Sequence, residues 1–206
     1  MKIPSVLAAL PLLLLGACQE TVSPELADIK EKGELVVITR NAPTTYYINR
    51  HDEPTGFEHD LARAFADHLG VEVRFKIRHS IAEVQQALRN GEGHLAAAGL
   101  TRLESREKEF RFGPSYHQVQ QKLVCRRGGE HPNNLKELPE MSLLVIADSS
   151  YEERLEELKS ERLPELSLEA DSDLSTEMIL RRVQKDELDC TLADSNIVAI
   201  NSRYFP

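Results

Sequence analysis

The sequence predicts an α/β fold with parallel strands, and three observations carry that expectation. Short runs of apolar, often β-branched residues alternate with longer stretches whose apolar positions recur at helical period. Serines and glycines that suit helix caps fall at the joints between them. The alternation also runs twice, once on each side of a charged segment containing Pro and Gly at residues 126–139. Strands separated in this way by helices pack most simply as a parallel sheet with helical crossovers.

The elements follow in order. Residues 19–32 are polar, contain Pro24, and read as a tether leading into a short helical turn. Gly33 introduces the first strand, residues 34–39, with Leu35, Val36, Val37 and Ile38 as its apolar run. After a loop over residues 41–56, the residues Phe57, Leu61, Ala64, Phe65 and Leu69 share one face of a helix, and Gly70 supplies its stop. Val71, Val73, Phe75 and Ile77 then alternate with Glu72, Arg74, Lys76 and Arg78, the pattern of a strand with one wet face. Ser80 and Glu83 form a capping box that opens a helix through Val84, Ala87 and Leu88, and residues 94–100 read as a buried strand.

Residues 119–125 form a connecting strand to the second unit. There, residues 143–147, 166–168 and 188–193 are the predicted strands. Ser150 and Glu153 cap one helix, and residues 175–185, with Met178, Ile179 and Val183 inward, form another. The architecture repeats, but the sequence itself does not.

Charge and motifs narrow the function. A formal net charge of −9 and the lack of a basic patch argue against nucleic acid as a partner. Acidic residues such as Glu152, Glu153, Glu156 and Glu157 read as a solvated helix face. No histidine or cysteine spacing suggests a metal, and no cofactor is expected. The sequence has no Gly-x-Ser-x-Gly, P-loop or Gly-x-Gly-x-x-Gly pattern, so no catalytic residue is assigned. Cys125 and Cys190 each lie in an apolar, strand-like stretch; their spacing does not indicate a disulfide, and two buried free thiols are expected.

At the N-terminus, Lys2 and an apolar run through Leu15 form a secretory h-region too short to span a bilayer comfortably. Leu15, Gly16, Ala17 and Cys18 resemble the lipobox of bacterial lipoproteins, which implies a signal peptide over residues 1–17 and a lipid on Cys18. The alternative is an ordinary signal peptide cleaved after Ala17. Gln19 stands where that family's inner-membrane retention signal has Asp, which points to the outer membrane, periplasmic face.

From Gly33 onward the chain resembles the family-3 extracellular solute-binding domains. The likeness rests on residues 33–37, 56–62 and 69–70, on residues 87–91, on Thr101 through Arg106, and on Phe112, Gly113, Pro114, Ser115 and Tyr116. A narrower resemblance is to the N-terminal module of the membrane-bound lytic murein transglycosylase F family, carried by residues 41–47, 120–124, 193–196 and 201–206. It implies a two-lobed, periplasmic binding-protein-like (type II) fold. Residues 18–32 would be the tether, 33–125 the first lobe with the crossover strand, and 126–206 the second lobe, with the chain truncated before the return to lobe 1. In that family a C-terminal lysozyme-like domain cleaves peptidoglycan with one catalytic glutamate, and the binding module regulates it. No such glutamate is found here, because Glu104 and Ser105 fall within the binding-module motif. The implied function is a lipid-anchored sensor module binding an amino acid or a murein-derived peptide. The alternative is the substrate-binding lipoprotein of an amino-acid ABC importer.

The resemblance also implies ligand-binding residues. Arg106 would grip an α-carboxylate, because a planar guanidinium makes two parallel charge-assisted bonds to it. Thr101 would add a hydroxyl. Ser149 and Ser150 would offer hydroxyls and free N–H groups at a helix N-terminus across the cleft. Asp194 would receive an ammonium, and Tyr46, with Tyr47, would line the cleft. The competing readings are a surface ion pair for Arg106, a helix cap for Asp194 and aromatic packing beneath the loop for the tyrosines. Leu103 and His94 depart from the pattern of the transporter-linked relatives.

Overall fold

A computed structural model of the protein describes residues 23–203; the segment read as a signal peptide, Cys18 and the last three residues lie outside the described range. The segment read as a tether contains a helix, α1 (Pro24–Lys32). Ser23 caps it by accepting from the Leu26 N–H at 3.3 Å, Pro24 occupies its first turn, and Gly33 ends it in the left-handed region. β1 (Glu34–Arg40) follows, with its five central residues buried, as suits the middle strand of a parallel sheet. The predicted loop carries a small antiparallel hairpin, β2 (Tyr47–Ile48) with β3 (Pro54–Thr55). Then come α2 (Phe57–Leu69), β4 (Glu72–Arg78), α3 (Ile81–Arg89), β5 (Leu95–Ala96) and the single turn α4 (Glu104–Glu107). The first sheet has the order β4-β1-β5, all parallel, with Leu35 opposite Val73 and Val37 between Phe75 and Leu95.

β6 (Gln121–Cys125) crosses into the second lobe, which continues through a 3₁₀ turn at Leu135–Glu140, β7 (Leu144–Ile146), α5 (Ser150–Glu161), β8 (Glu169–Asp171), α6 (Thr176–Gln184), β9 (Cys190–Asp194) and α7 (Ser195–Asn201). β7 pairs with β8 in parallel and β6 with β9 antiparallel; a parallel bridge between Leu143 and Cys190 joins the two pairs.

Six expectations need correction. Ser149, not Ser150, caps α5, accepting from the Glu152 N–H, and Ser150 is the first residue of the helix. The buried strand read at residues 94–100 is the two-residue, half-buried β5. The buried face of α2 is not the one carrying Phe57, Leu61, Ala64 and Phe65: Phe57 is 53% exposed and Leu61 and Phe65 are each 43% exposed, while Glu58, His59, Ala62 and Ala66 face inward. Small alanines let the helix approach β1 closely, and the His59 ring packs on Phe75 at 4.9 Å and Tyr46 at 5.6 Å. Gly56 is required at the helix entry, because a Cβ there would lie 2.2 Å from the Thr45 carbonyl oxygen.

Met178 on α6 is also exposed, and Leu180 joins Ile179 and Val183 in its place. The strand expected at residues 166–168 forms three residues later, since Leu166 is needed in the core beneath α5. Lastly, Cys125 and Cys190 form a disulfide and are not free thiols. They stand directly opposite in the β6–β9 ladder, with Cα atoms 4.2 Å apart, a relation made by strand pairing that their separation of 65 residues conceals.

Candidate interlobe binding site

In sheets of this kind ligands sit beyond the carboxyl ends of the strands, where loops converge. At the end of β1 the loop is pinned by Thr45, wholly buried, whose hydroxyl donates to the Arg40 carbonyl at 2.7 Å. Thr45 also accepts from the His59 N–H through its own carbonyl, fixing the start of α2 against the loop. Glu58, in the first turn of α2, is buried; its carboxylate accepts from the Gly99 N–H at 2.7 Å and from the Tyr116 hydroxyl. Burial pushes the Glu58 carboxyl up, opposed by those two hydrogen bonds and by Arg40.

The predicted site residues divide into groups. Arg106 lies in α4, only 7% exposed, and donates to the Thr101 carbonyl at 2.8 Å and to the Asp148 carbonyl of the second lobe at 2.7 Å. The ion pairs of that segment are made by its neighbours, Arg102 with Glu107 and Arg89 with Glu109. Two carbonyl bonds leave further N–H groups of the Arg106 guanidinium uncommitted. Thr101 meets Ser150 across the lobes, hydroxyl to hydroxyl, at 3.2 Å, and the Gln121 side chain donates to the same Ser150 oxygen at 3.0 Å. Gln121 is in turn paired with Asp194 in the β6–β9 register.

Asp194 stands at the N-cap position of α7 without making a side-chain cap bond, and its Oδ1 is buried with no hydrogen-bond partner among the described residues. Its backbone N–H donates to the Tyr151 hydroxyl oxygen at 3.1 Å. Burial raises the Asp194 carboxyl above its ordinary range, against the opposing effects of Tyr151 and His117. Burial likewise raises Tyr151, reinforced by the Asp194 charge. The Ser149 hydroxyl is committed to the helix end: it accepts from the Glu152 N–H and donates to the Ile146 carbonyl at 2.6 Å. The structure places Tyr46 among the rings of His59 and Phe75, and Tyr47 in β2 with 36% exposure.

Arg106 and Ser149 also border a groove of 360 Å³ between α3 and α5 whose walls carry Glu109, Glu152, Glu153 and Glu156. Thr101, Ser150 and Asp194 do not line it, and its acidic walls suit solvent better than a carboxylate.

Sequence reasoning missed Arg40, Glu58 and Tyr151. Arg40 ends a buried strand, and its Nε donates to the Ala98 carbonyl at 3.1 Å. A charge placed directly after a run of buried strand residues, at the carboxyl edge of the sheet, was the signal available for it. Glu58 and Tyr151 gave no such signal, because each sits among ordinary helix residues.

The comparisons agree with this architecture. Over residues 34–205 the chain matches the family described as bacterial extracellular solute-binding proteins, family 3. It is 43% identical over 205 residues to a membrane-bound lytic murein transglycosylase F 2 of Alkalilimnicola ehrlichii, covering 98% of this chain and 45% of the relative. To the membrane-bound lytic murein transglycosylase F of Maricaulis maris it is 39% identical over 211 residues, 98% of this chain and 46% of the relative. The chain thus spans a little under half the length of these relatives and corresponds to their binding module; their catalytic domain is not covered.

Among solved structures, an ancestral amino-acid-binding protein, a precursor of cyclohexadienyl dehydratase, superposes with a TM-score of 0.76 at 23% identity, covering 87% of this chain and 78% of that one. A substrate-binding protein of an amino-acid ABC transporter from Streptococcus pneumoniae, bound to L-arginine, gives 0.74 at 24% identity, covering 87% and 74%. These likenesses show the fold, the two-lobed periplasmic binding-protein type II. Sequence and fold together establish that the chain belongs to the bacterial extracellular solute-binding proteins, family 3.

Proposed function

We propose that this chain is the solute-binding, regulatory module of a lipid-anchored peptidoglycan lytic transglycosylase. It takes an amino acid or a murein-derived peptide between its lobes at the periplasmic face of the outer membrane. The observation that supports the binding reading most is the pair of uncommitted opposite charges at the lobe boundary. Arg106 keeps free N–H donors, Asp194 keeps a buried oxygen without a partner, and the Thr101–Ser150–Gln121 bonds connect them. An α-amino acid supplies a carboxylate to the first and an ammonium to the second, so each buried charge finds its counterpart. The chain acts by binding and assigns no residue to bond cleavage. Identities of 37–43% to murein transglycosylases, against 19–24% to the solved amino-acid-binding proteins, favour the enzyme-linked role over that of an importer receptor.

Calorimetric titration with amino acids and murein peptides tests the site. Arg106→Ala should weaken carboxylate-bearing ligands by about ten- to a hundredfold. Asp194→Asn should weaken ligands with a free amine more than analogues lacking one. Unchanged affinities in both variants would remove the site. The anchor has its own test: Cys18→Ala should move the full chain from the membrane fraction to the soluble periplasmic fraction, and a chain that stays in the membrane would exclude the lipid on Cys18.

A further inference from the structure

The cleft holds a second cation that makes no direct ion pair among the described residues, with Glu177 and Glu58 acting on it only at longer range. Arg40 extends from the carboxyl end of β1, anchored through Nε to the Ala98 carbonyl at 3.1 Å. Its terminal nitrogen lies 4.0 Å from where a Cβ on Gly99 would be, so the glycine keeps the space beside the guanidinium open. The groups facing Arg40 are Glu58 and Arg106 from the first lobe and Glu177 and Tyr151 from the second. Arg40 and Arg106 form no ion pair among the described residues, although much of the surrounding surface is laced with them. Glu58, the acid on the same lobe, already gives its oxygens to the Gly99 N–H and the Tyr116 hydroxyl.

We infer that Arg40 forms a second anion subsite in the interlobe cleft, so that the ligand is an amino acid, free or within a short peptide, with a carboxylate in its side chain. The inference rests on the preceding reading of Arg106 and Asp194 as the pair that holds the α-carboxylate and the ammonium. With a neutral side chain in place, those two charges are matched while Arg40 has no directly paired anion, only the longer-range charges of Glu177 and Glu58, and a largely enclosed cation so placed is incompletely compensated. A side-chain carboxylate supplies the missing charge in a geometry that a guanidinium holds with two bonds. An arginine ligand, as carried by several of the solved neighbours, would bring a third guanidinium into the same space. Glu177, half-buried in the first turn of α6, faces Arg40 from the closing lobe and opposes an anion there. It therefore tempers the subsite, and its removal should strengthen it.

The decisive measurement is the ratio of dissociation constants for glutamate and its neutral isostere glutamine. It is taken by calorimetry with the L and D forms of glutamate, L-glutamine and L-arginine, on the wild-type chain and on Arg40→Gln, Arg40→Lys and Glu177→Gln. The wild type should prefer one form of glutamate over glutamine by about tenfold or more. That preference should shrink several-fold in Arg40→Lys, collapse in Arg40→Gln and widen in Glu177→Gln. Wild-type preference for glutamine or arginine, or a glutamate preference that survives Arg40→Gln, overturns the inference. If Arg40→Gln does not fold, as judged by circular dichroism, the lysine variant decides on the same ratio. Amino-acid binding that Arg106→Ala abolishes but whose selectivity ignores Arg40 leaves the proposed function standing and removes only this subsite; no binding by the wild type removes both.

Discussion

In the second lobe one large cluster of buried residues, including Leu144, Val145, Tyr151, Leu155, Leu166, Ile179 and Cys190, fills the space among β7, β8, β9, α5 and α6, with a small separate group of Leu180, Ala193 and Ile197 beside α7. The first lobe divides its buried residues between two smaller groups, one under α2 built on Leu35, Val37, Ala62 and Ala66, the other under α3 built on Ile38, Val84, Ala87 and Ala98. Its helix α2 turns Phe57, Leu61 and Phe65 outward, and Ile77 on the edge strand β4 is 47% exposed. Ile81, at the start of α3, is counted with the second lobe's cluster, so the better-packed lobe also supports the junction. Apolar burial is the main favourable term in folding, so the same α/β plan is held much more firmly in one lobe than in the other.

The largest effect should come from breaking the firm lobe. Leu155→Ala, at a site only 1% exposed, should destabilise the chain by about 2–5 kcal/mol in urea unfolding, whereas Phe65→Ser should change it by less than about 0.5 kcal/mol. Comparable losses in the two variants would mean that the outward face of α2 is covered, by self-association for instance, and the contrast between the lobes would fail.

Next in size is the disulfide. Replacing both Cys125 and Cys190 by serine should cost about 2–4 kcal/mol, since the bond closes a long loop in the unfolded chain. The loss should appear as faster amide exchange in β6 and β9 while β1 is little changed. Uniform acceleration across both lobes would show that they unfold as one unit and that the contrast is one of packing alone.

The smallest effect sharpens the view of the cleft. Because the folded-state pKa of Asp194 is raised by burial, its ionised form opposes folding: the favourable contribution is present at low pH and is lost as pH rises through the raised value. Asp194→Asn and wild type should therefore melt together near pH 4 and diverge towards pH 7.5. The variant should become the more stable by on the order of a few degrees. Melting temperatures that stay parallel across this range would mean that the carboxylate is not desolvated in the free protein.

Much of the fold was legible because its signals are local. The buried run through Leu35 and Ile38, the cap at Ser80 and the stop at Gly70 all appear where expected. The grouping of the candidate site residues was legible in part. Arg106, Thr101, Ser150 and Asp194 are drawn into one connected set, whereas the Ser149 hydroxyl is occupied by the helix end and Tyr46 by its neighbouring rings. The outward turn of α2 was not legible, because Phe57, Leu61 and Phe65 have the spacing of a core face and only the approach of Ala62 and Ala66 to β1 reverses it.

The sequence by itself determined where strands and helices start and stop and how they alternate, since these depend on backbone preference, capping and periodicity within a few residues of chain. Only the tertiary structure decided that Cys125 meets Cys190, that Arg40 comes within the influence of Glu177, and that one oxygen of the Asp194 carboxylate is buried with no hydrogen-bond partner among the described residues. Each of these relations joins groups far apart in the chain. Strand register and lobe packing set their distances and remove their water, and those quantities do not exist until the whole chain has folded.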